Sequence, residues 1–195
     1  MTARRETPSQ TAGPYLHVGC TPNLAGLGGP WPADLGAAMV AGPARGERIV
    51  VEGTVRDGEG ALVRDALVEI WQADAGGRFV GQAGADPCFA GWGRSAADAE
   101  TGAFRFETVR PGRVPWPDGR MQAPHITVWI VARGINLGLH TRMYFPDEAD
   151  ANAADPVLGL VGPARRATLI AAAVPGGYRF DIRLQGEGET VFLDV

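Results

Sequence analysis

Apolar and polar residues alternate at a period of two from residue 48 onward. Successive side chains of a strand point to opposite faces, so this alternation predicts β-strands. The clearest case is 102–109, in which Phe104 and Phe106 share one face while Arg105 and Glu107 share the other. The pattern predicts strands at residues 48–55, 66–72, 102–109, 125–133, 139–145, 178–184 and 190–193.

The segments between these strands are typical of turns and loops. Asp-Gly-Glu-Gly at 57–60 predicts a hairpin turn between the first two strands. Residues 73–101 and 110–124 are expected to form long loops, and 147–154 and 163–171 to hold short helical turns. Six or more short strands with such connections indicate an all-β fold, a β-sandwich.

Residues 1–47 differ from the rest because glycine and proline interrupt any periodicity. We expect an N-terminal arm over 1–47 that packs on a partner, followed by a sandwich domain over 48–195. One short helix is expected near 32–40, where a proline in the first turn precedes alanine and leucine. The first residues carry charges without an apolar segment behind them, unlike a secretory signal.

Composition narrows the class of protein. A length of 195 residues suits one domain, and 28 glycines, 15 prolines and 45% apolar residues indicate a turn-rich β protein. All 18 basic residues are arginine, and the net charge of −4 argues against nucleic-acid binding. The longest apolar stretches, such as 126–132 and 169–174, fall short of the roughly 20 residues of a membrane span. Cys20 and Cys88 lack metal-ligand spacing, so a reducing cytoplasm is the default expectation.

Candidate metal ligands are few, since the chain has three histidines, His17, His125 and His140. His125 opens a predicted strand in which residue 127 shares its face. A metal-binding strand would carry a second ligand there, but the residue is Thr127. A hydrogen-bonded structural role is therefore favoured over metal ligation for each histidine.

The remaining candidates are tyrosines and one arginine. Tyr144 and Tyr178 lie in apolar segments, where a tyrosine at the core edge is favoured over a metal ligand. Tyr15 follows Gly-Pro on the arm and could form part of a binding surface. Arg133 ends a strand, and its planar guanidinium suits a carboxylate, although the spacing alone favours a solvated rim arginine. Motifs of serine hydrolases, zinc proteases and P-loops are absent from the sequence.

Several strings, in order from about residue 6 to the C-terminus, resemble the intradiol ring-cleaving dioxygenases. Val-Glu-Ile-Trp-Gln-Ala marks the wider family, whereas the arm, Arg-Gly-Ile-Asn and the tail resemble the alpha chains of its heteromeric members. The strings are Thr-Pro-Ser-Gln-Thr-Ala-Gly-Pro-Tyr (7–15), Gly-x-Val-x-Asp-Gly-x-Gly (53–60), Val-Glu-Ile-Trp-Gln-Ala-Asp (68–74), Ala-Pro-His-Ile (123–126), Ala-Arg-Gly-Ile-Asn (132–136), His-Thr-Arg-Met-Tyr-Phe (140–145) and Phe-Asp-Ile-Arg-Leu-Gln-Gly-Glu-Gly-Glu-Thr-Val (180–191).

The resemblance implies a β-sandwich chain and non-haem Fe(III), held in the family by two histidines and two tyrosines. One of these four positions survives, as His125. Thr127 stands at the second histidine and Val114 at the tyrosine before Pro-Trp, and 73–101 contains no tyrosine. The resemblance therefore implies that this chain has no catalytic residue of its own, and that a homologous beta chain holds the iron in a larger hetero-oligomer.

The resemblance also implies a role for the arm. In alpha chains of the family, the arm and one arginine line the substrate pocket of the partner, which takes a small catechol. The matching positions are Thr11, Gly13, Pro14, Tyr15 and Arg133. Two other functions stay open. One is a non-catalytic transthyretin-like β-sandwich binding module, and the other, which the missing ligands disfavour, is an independent dioxygenase.

Overall fold

Two packed β-sheets form the body of the protein in the computed structural model, which describes residues 8–194. The first seven residues of the expected arm and the last residue of the expected domain lie outside this range. The strands are β1 (Arg48–Arg56), β2 (Leu67–Trp71), β3 (Trp92–Ala96), β4 (Ala103–Val109), β5 (His125–Val131), β6 (Leu139–Tyr144), β7 (Ala172–Val174), β8 (Gly177–Arg179) and β9 (Ile182–Arg183). The helices are α1 (Tyr15–Cys20) and α2 (Ala149–Ala154), with 3₁₀ turns at Leu158–Leu160 and Pro163–Leu169. The expected all-β sandwich is confirmed.

One sheet has the order β4-β1-β8-β7, with β9 also pairing with β1, and the other has the order β3-β2-β5-β6. Alternate residues of each strand face the space between the sheets, as the period-two pattern predicts. Phe104 and Phe106 of β4 are buried there together with Ile126, Val128 and Ile130 of β5. On the opposite face of β5, His125 is buried, while Thr127, Trp129 and Val131 are partly buried.

The first two strands do not form the expected hairpin. β1 and β2 belong to different sheets, because the turn at Asp57 closes on a single bridge between Arg56 and Leu62 before the chain crosses over. Residues 73–101 are not wholly a loop, since β3 lies within them. The expected strand at 178–184 is split into β8 and β9, and 190–193 contributes one isolated bridge, through Leu193.

The short helix of the arm is α1, at Tyr15–Cys20, and not at 32–40 as expected. Gly36 adopts a φ of +82°, which breaks any right-handed helix. Met39 is buried in the core, and Val40 forms an isolated antiparallel bridge with Phe89, in the segment between β2 and β3. The helical turns expected at 147–154 and 163–171 are present. None of the helices within 8–194 has the length and apolar character that crossing a bilayer requires.

A buried amide joins the two sheets where β2 and β4 end. Gln72 Nε2 donates to the carbonyl oxygen of Val109 at 2.8 Å and to that of Ala73 at 3.1 Å. Gln72 Oε1 accepts the hydroxyl hydrogen of Thr108 at 2.9 Å. Gln72 and Thr108 are each 1% exposed, so water cannot replace these bonds. The amide of the Trp-Gln-Ala string therefore has a structural role.

Replacement of Gln72 by leucine should destabilise the protein by about 2–4 kcal/mol. The change preserves approximate volume but leaves the Thr108 hydroxyl and the Val109 carbonyl without partners, at about 1–3 kcal/mol for each buried group. Urea unfolding measures the effect. Gln82→Leu is the matched control, because Gln82 is exposed and accepts one loop N–H bond. Equal stability of the two variants would contradict the prediction.

Candidate functional site

His125, the position that the resemblance assigns to an iron ligand, lies where β5 pairs with β6. His125 is opposite Tyr144 and Thr127 is opposite Arg142 in the antiparallel register. Directly paired residues project to the same face of a sheet, so these four side chains belong to one patch on the outer face of β5 and β6. The register thus places a guanidinium opposite the position that the resemblance assigns to the second histidine.

His125 is held as a neutral structural residue. Its Nδ1 lies 2.8 Å from the carbonyl oxygen of Ala123, a distance at which the ring nitrogen donates. Burial lowers the pKa of His125 to about 4, and the positive charge of Arg142 acts in the same direction. The ring packs against Tyr144 with a centroid separation of 5.8 Å.

The residues at the family's ligand positions do not fit ferric iron. Arg142 Nη1 donates to Gln122 Oε1 at 2.8 Å, which fixes a permanent cation beside His125. Val114 is buried and has no donor atom. Iron sites need anionic or imidazole ligands, and a fixed positive charge opposes a metal cation. Across residues 8–194, no group of three or more His, Cys, Asp or Glu side chains is placed to hold a metal ion.

Tyr144 is likewise a buried structural residue, held in its neutral form by a hydrogen bond to Asp155. Its hydroxyl donates to Asp155 Oδ1 at 3.1 Å, and burial raises its pKa, with the Asp155 charge adding to the effect. Asp155 also accepts backbone N–H bonds from Ala123, Val157 and Leu158. Asp155 was missed from the sequence because no motif surrounds it. Tyr178 contacts Asp147 and Arg110 through its hydroxyl, at the other sheet.

The segment after β2 is organised by two carboxylates and has no tyrosine. Asp74 Oδ1 accepts the N–H groups of Gly76 and Arg78, and its Oδ2 accepts that of Asp86 at 2.8 Å. Asp86 in turn accepts the backbone N–H of Arg45 at 2.6 Å and of Cys88 at 2.9 Å. Backbone bonds from Arg45 and Cys88 lower the pKa of Asp86, so it stays ionised at neutral pH. The loop that in the family carries a ligand is here anchored to the arm.

The structure brings the arm and Arg133 together. Gly13 and Pro14 of the arm, with His17 of α1, line a cleft whose opposite wall is Asp65 and Arg133. His17 Nε2 lies 3.1 Å from the carbonyl oxygen of Asp65, which docks α1 on the segment before β2. The cleft joins residues more than 100 positions apart in sequence, and three of the five residues predicted for the pocket line it, namely Gly13, Pro14 and Arg133.

Thr11 and Tyr15 lie at the two ends of this arm segment. Thr11 bonds the turn that contains Arg133, through Gly134. Tyr15 is 83% exposed and is not among the residues that line the cleft. The Arg133 side chain is also mostly exposed, and its Nε lies 3.6 Å from Asp65 Oδ2. The exposed guanidinium and the exposed phenol can each contact a further molecule or chain.

Comparison with known proteins identifies the relatives of this chain. Residues 28–186 match a protein family described as Dioxygenase. The protocatechuate 3,4-dioxygenase alpha chain of Pseudomonas putida is 49% identical over 195 residues, which cover 97% of this chain and 96% of that one. The match extends across most of the arm.

Two further relatives are a beta chain and the dioxygenase domain of a fusion protein. The protocatechuate 3,4-dioxygenase beta chain of Burkholderia cepacia is 39% identical and covers 78% of this chain and 71% of its own length. The dioxygenase domain of a dioxygenase carbohydrate-binding protein fusion from Streptomyces sp. SirexAA-E aligns with a TM-score of 0.55 at 28% identity, covering 80% of this chain and 88% of that domain. The sandwich is therefore shared with these dioxygenases.

Acid should cost the wild-type protein more stability than a His125→Gln variant. A pKa of about 4 in the folded chain, against about 6.5 when unfolded, means that the stability held by neutral His125 is complete above pH 6.5. It is lost as the pH falls toward 4, because the unfolded state binds the proton first. Between pH 7.5 and 4.5 the difference should reach about 2–3 kcal/mol.

Urea unfolding at the two pH values measures this effect, with His125→Leu as a second variant that cannot titrate. Both variants should show the same reduced pH dependence. A pH dependence equal to that of the wild type in both variants would refute the assignment.

Proposed function

This chain belongs to the intradiol ring-cleaving dioxygenase family, and on that premise we propose that it is the alpha subunit of a heteromeric protocatechuate 3,4-dioxygenase. Such an enzyme breaks the bond between the two hydroxyl-bearing carbons of protocatechuate and adds one atom of O₂ to each of them, which yields 3-carboxy-cis,cis-muconate. The observation that carries the proposal is the pairing of a degraded ligand set at His125 with an intact cleft of arm and Arg133.

The family uses non-haem Fe(III), and in our proposal a homologous beta chain holds it. This chain has Val114 and Thr127 at two of the ligand positions, and the Arg142 cation lies opposite Thr127. The chain is similar over its full length to an alpha chain and less similar to a beta chain. This supports the assignment of this chain to the alpha subunit and of the iron to a separate beta chain. The free-standing transthyretin-like module has no observation in its favour.

A partner surface is supported by where the large apolar side chains are exposed. Many of them are concentrated in the arm, where solvent-exposed apolar area is costly unless it is covered. They are Tyr15, Val18, Leu24, Leu27, Trp31 and Leu35. We propose that the beta chain covers this surface and that further protomers assemble into a higher oligomer.

A reducing cytoplasm suits the chain, because Cys20 and Cys88 are free thiols.

In the proposed enzyme this chain binds and orients the substrate. Gly13, Pro14 and Tyr15 contact the aromatic ring of the substrate. The Arg133 guanidinium binds the carboxylate opposite the diol, and Thr11 binds the arm to the turn that contains Arg133. A planar guanidinium can donate two parallel hydrogen bonds to a carboxylate. The iron, which the beta chain holds in our proposal, would supply the oxygen chemistry, and this chain would supply binding and orientation.

The chain purified alone should contain no stoichiometric iron and show no tyrosinate-to-iron absorption. Co-expression with its beta chain should produce both, together with protocatechuate cleavage. Metal analysis, visible absorption and oxygen uptake measure these outcomes. Iron-dependent turnover by the chain alone would overturn the proposal and favour an independent dioxygenase.

Arg133→Ala in the assembled enzyme should lower kcat/KM for protocatechuate by about 10- to 150-fold. This corresponds to one charge-assisted hydrogen bond of roughly 1.5–3 kcal/mol at 1.4 kcal/mol per tenfold change. Most of the loss should appear in KM, since the carboxylate is held alike in the ground and transition states. The quantity measured is the ratio of kcat/KM for protocatechuate to that for catechol, which lacks the carboxylate.

Arg165→Ala is the matched control, because Arg165 is an exposed arginine paired with Glu189 at 3.1 Å. It should leave the substrate ratio unchanged at fixed ionic strength and equal iron content. If Arg133→Ala also leaves the ratio unchanged, Arg133 does not recognise the carboxylate.

A further inference from the structure

Arg133 occupies the second position of a tight turn that follows β5. The N–H of Ile135 donates to the carbonyl oxygen of Ala132 at 3.2 Å, and Gly134 has a φ of +88°. A positive φ at the third position is typical of a type II turn. The conformation of this turn sets the direction in which the Arg133 side chain leaves the backbone.

The side chain of Arg133 has little else to direct it. It is 77% exposed, and its one ion pair within residues 8–194, with Asp65, is long at 3.6 Å and solvated. Exposed ion pairs contribute little because water screens the charges and two side chains must be ordered. The aim of the guanidinium therefore depends on the backbone of the turn.

Thr11 holds that backbone from the arm. The N–H of Gly134 has no partner inside the turn, and it donates to Thr11 Oγ1 at 2.6 Å. The Thr11 hydroxyl hydrogen can in turn donate to the carbonyl oxygen of Ala132, at 3.4 Å, or of Ala12, at 3.2 Å. On the other side, the N–H of Arg133 donates to Asp65 Oδ2 at 3.2 Å. The two central N–H groups of the turn are thus both bound by side chains from outside it.

We infer that Thr11 is a positioning residue for carboxylate selectivity: its hydroxyl fixes the 132–135 turn, and with it Arg133, at a set distance from the Gly-Pro-Tyr segment of the arm. This inference rests on the proposed function. It assigns Thr11 an action through Arg133 instead of a contact with the substrate. The same bond joins the arm to the turn, at two residues that are 123 positions apart in sequence.

The test uses the assembled enzyme with its beta chain and compares Thr11→Val with Thr11→Ser. Valine keeps the shape of threonine and removes the hydroxyl, whereas serine keeps the hydroxyl. Thr11→Val should lower the protocatechuate-to-catechol ratio of kcat/KM by about 5- to 10-fold, the effect of one neutral hydrogen bond, with the change mainly in KM. Thr11→Ser should stay within about twofold of the wild type.

Thr168→Val is the matched control. The Thr168 hydroxyl also accepts a backbone N–H from a distant segment, that of Val191 at 3.2 Å, but it lies outside the arm and the turn. This variant should leave the substrate ratio unchanged. A loss as large as that of Thr11→Val would mean that general loosening of the chain, and not the turn, changes selectivity.

A double variant separates positioning from direct contact. If Thr11 acts through Arg133, Thr11→Val should not lower the ratio further in an Arg133→Ala background, since sites acting through one group are not additive. An equal loss in both backgrounds would overturn the inference and assign Thr11 a direct contact. Hydrogen exchange of the peptide containing Gly134 should be faster in Thr11→Val than in Thr11→Ser, and equal rates would also overturn it.

The proposed function and this inference fail in different ways. An unchanged ratio in Arg133→Ala removes carboxylate recognition by Arg133, and the positioning role falls with it. A reduced ratio in Arg133→Ala with an unchanged ratio in Thr11→Val leaves the proposed function standing and rejects the inference alone.

Discussion

The end of β2 is the point on which the rest of the structure depends, because three separate parts of the chain are bound there by buried polar groups. Gln72 joins the two sheets. Asp74 folds the following loop and binds the N–H of Asp86, and Asp86 binds the backbone of the arm at Arg45. Buried polar groups are costly when unpaired, so each member of this series requires the next. The Trp-Gln-Ala-Asp string is thus explained by architecture, independently of metal chemistry.

The patch around His125 is stable without a metal ion, because its charges and hydrogen bonds are satisfied within the protein. Arg142 donates a hydrogen bond to Gln122 and supplies a positive charge beside His125. A neutral, desolvated histidine tolerates a nearby guanidinium, whereas a protonated one would not. The low pKa of His125 and the position of Arg142 are therefore compatible with each other.

The sequence predicts those parts of the fold that depend on residues close together in the chain, such as the alternation of apolar and polar side chains along one strand. Alternation identified the buried face of β4 through Phe104 and Phe106, because both sides of that strand differ in polarity. β3 was missed, since Trp-Gly-Arg-Ser-Ala has no apolar alternation and is held in place by β2. The predicted position of the helix was wrong because proline lies at the start of both segments, 15–20 and 32–40. The positive φ of Gly36, which excludes a helix at 32–40, occurs where the backbone packs closely against Trp92 and Arg94, and the local sequence does not show this contact. The cleft residues follow from resemblance alone, and a contact such as Thr11 with Gly134 leaves no trace in local sequence.

The docking of the arm has a consequence for synthesis on the ribosome. The arm leaves the exit tunnel before the sandwich domain, so its anchors at Asp65 and Gly134 are made later. At about 5–20 residues per second, the 123 positions between Thr11 and Gly134 correspond to a delay of roughly 6–25 seconds. During that interval the arm, with its apolar Leu24, Leu27 and Trp31, lacks the anchor at Gly134. Those seconds are a window in which a chaperone or a finished partner chain can bind the arm before the rest of its own domain exists.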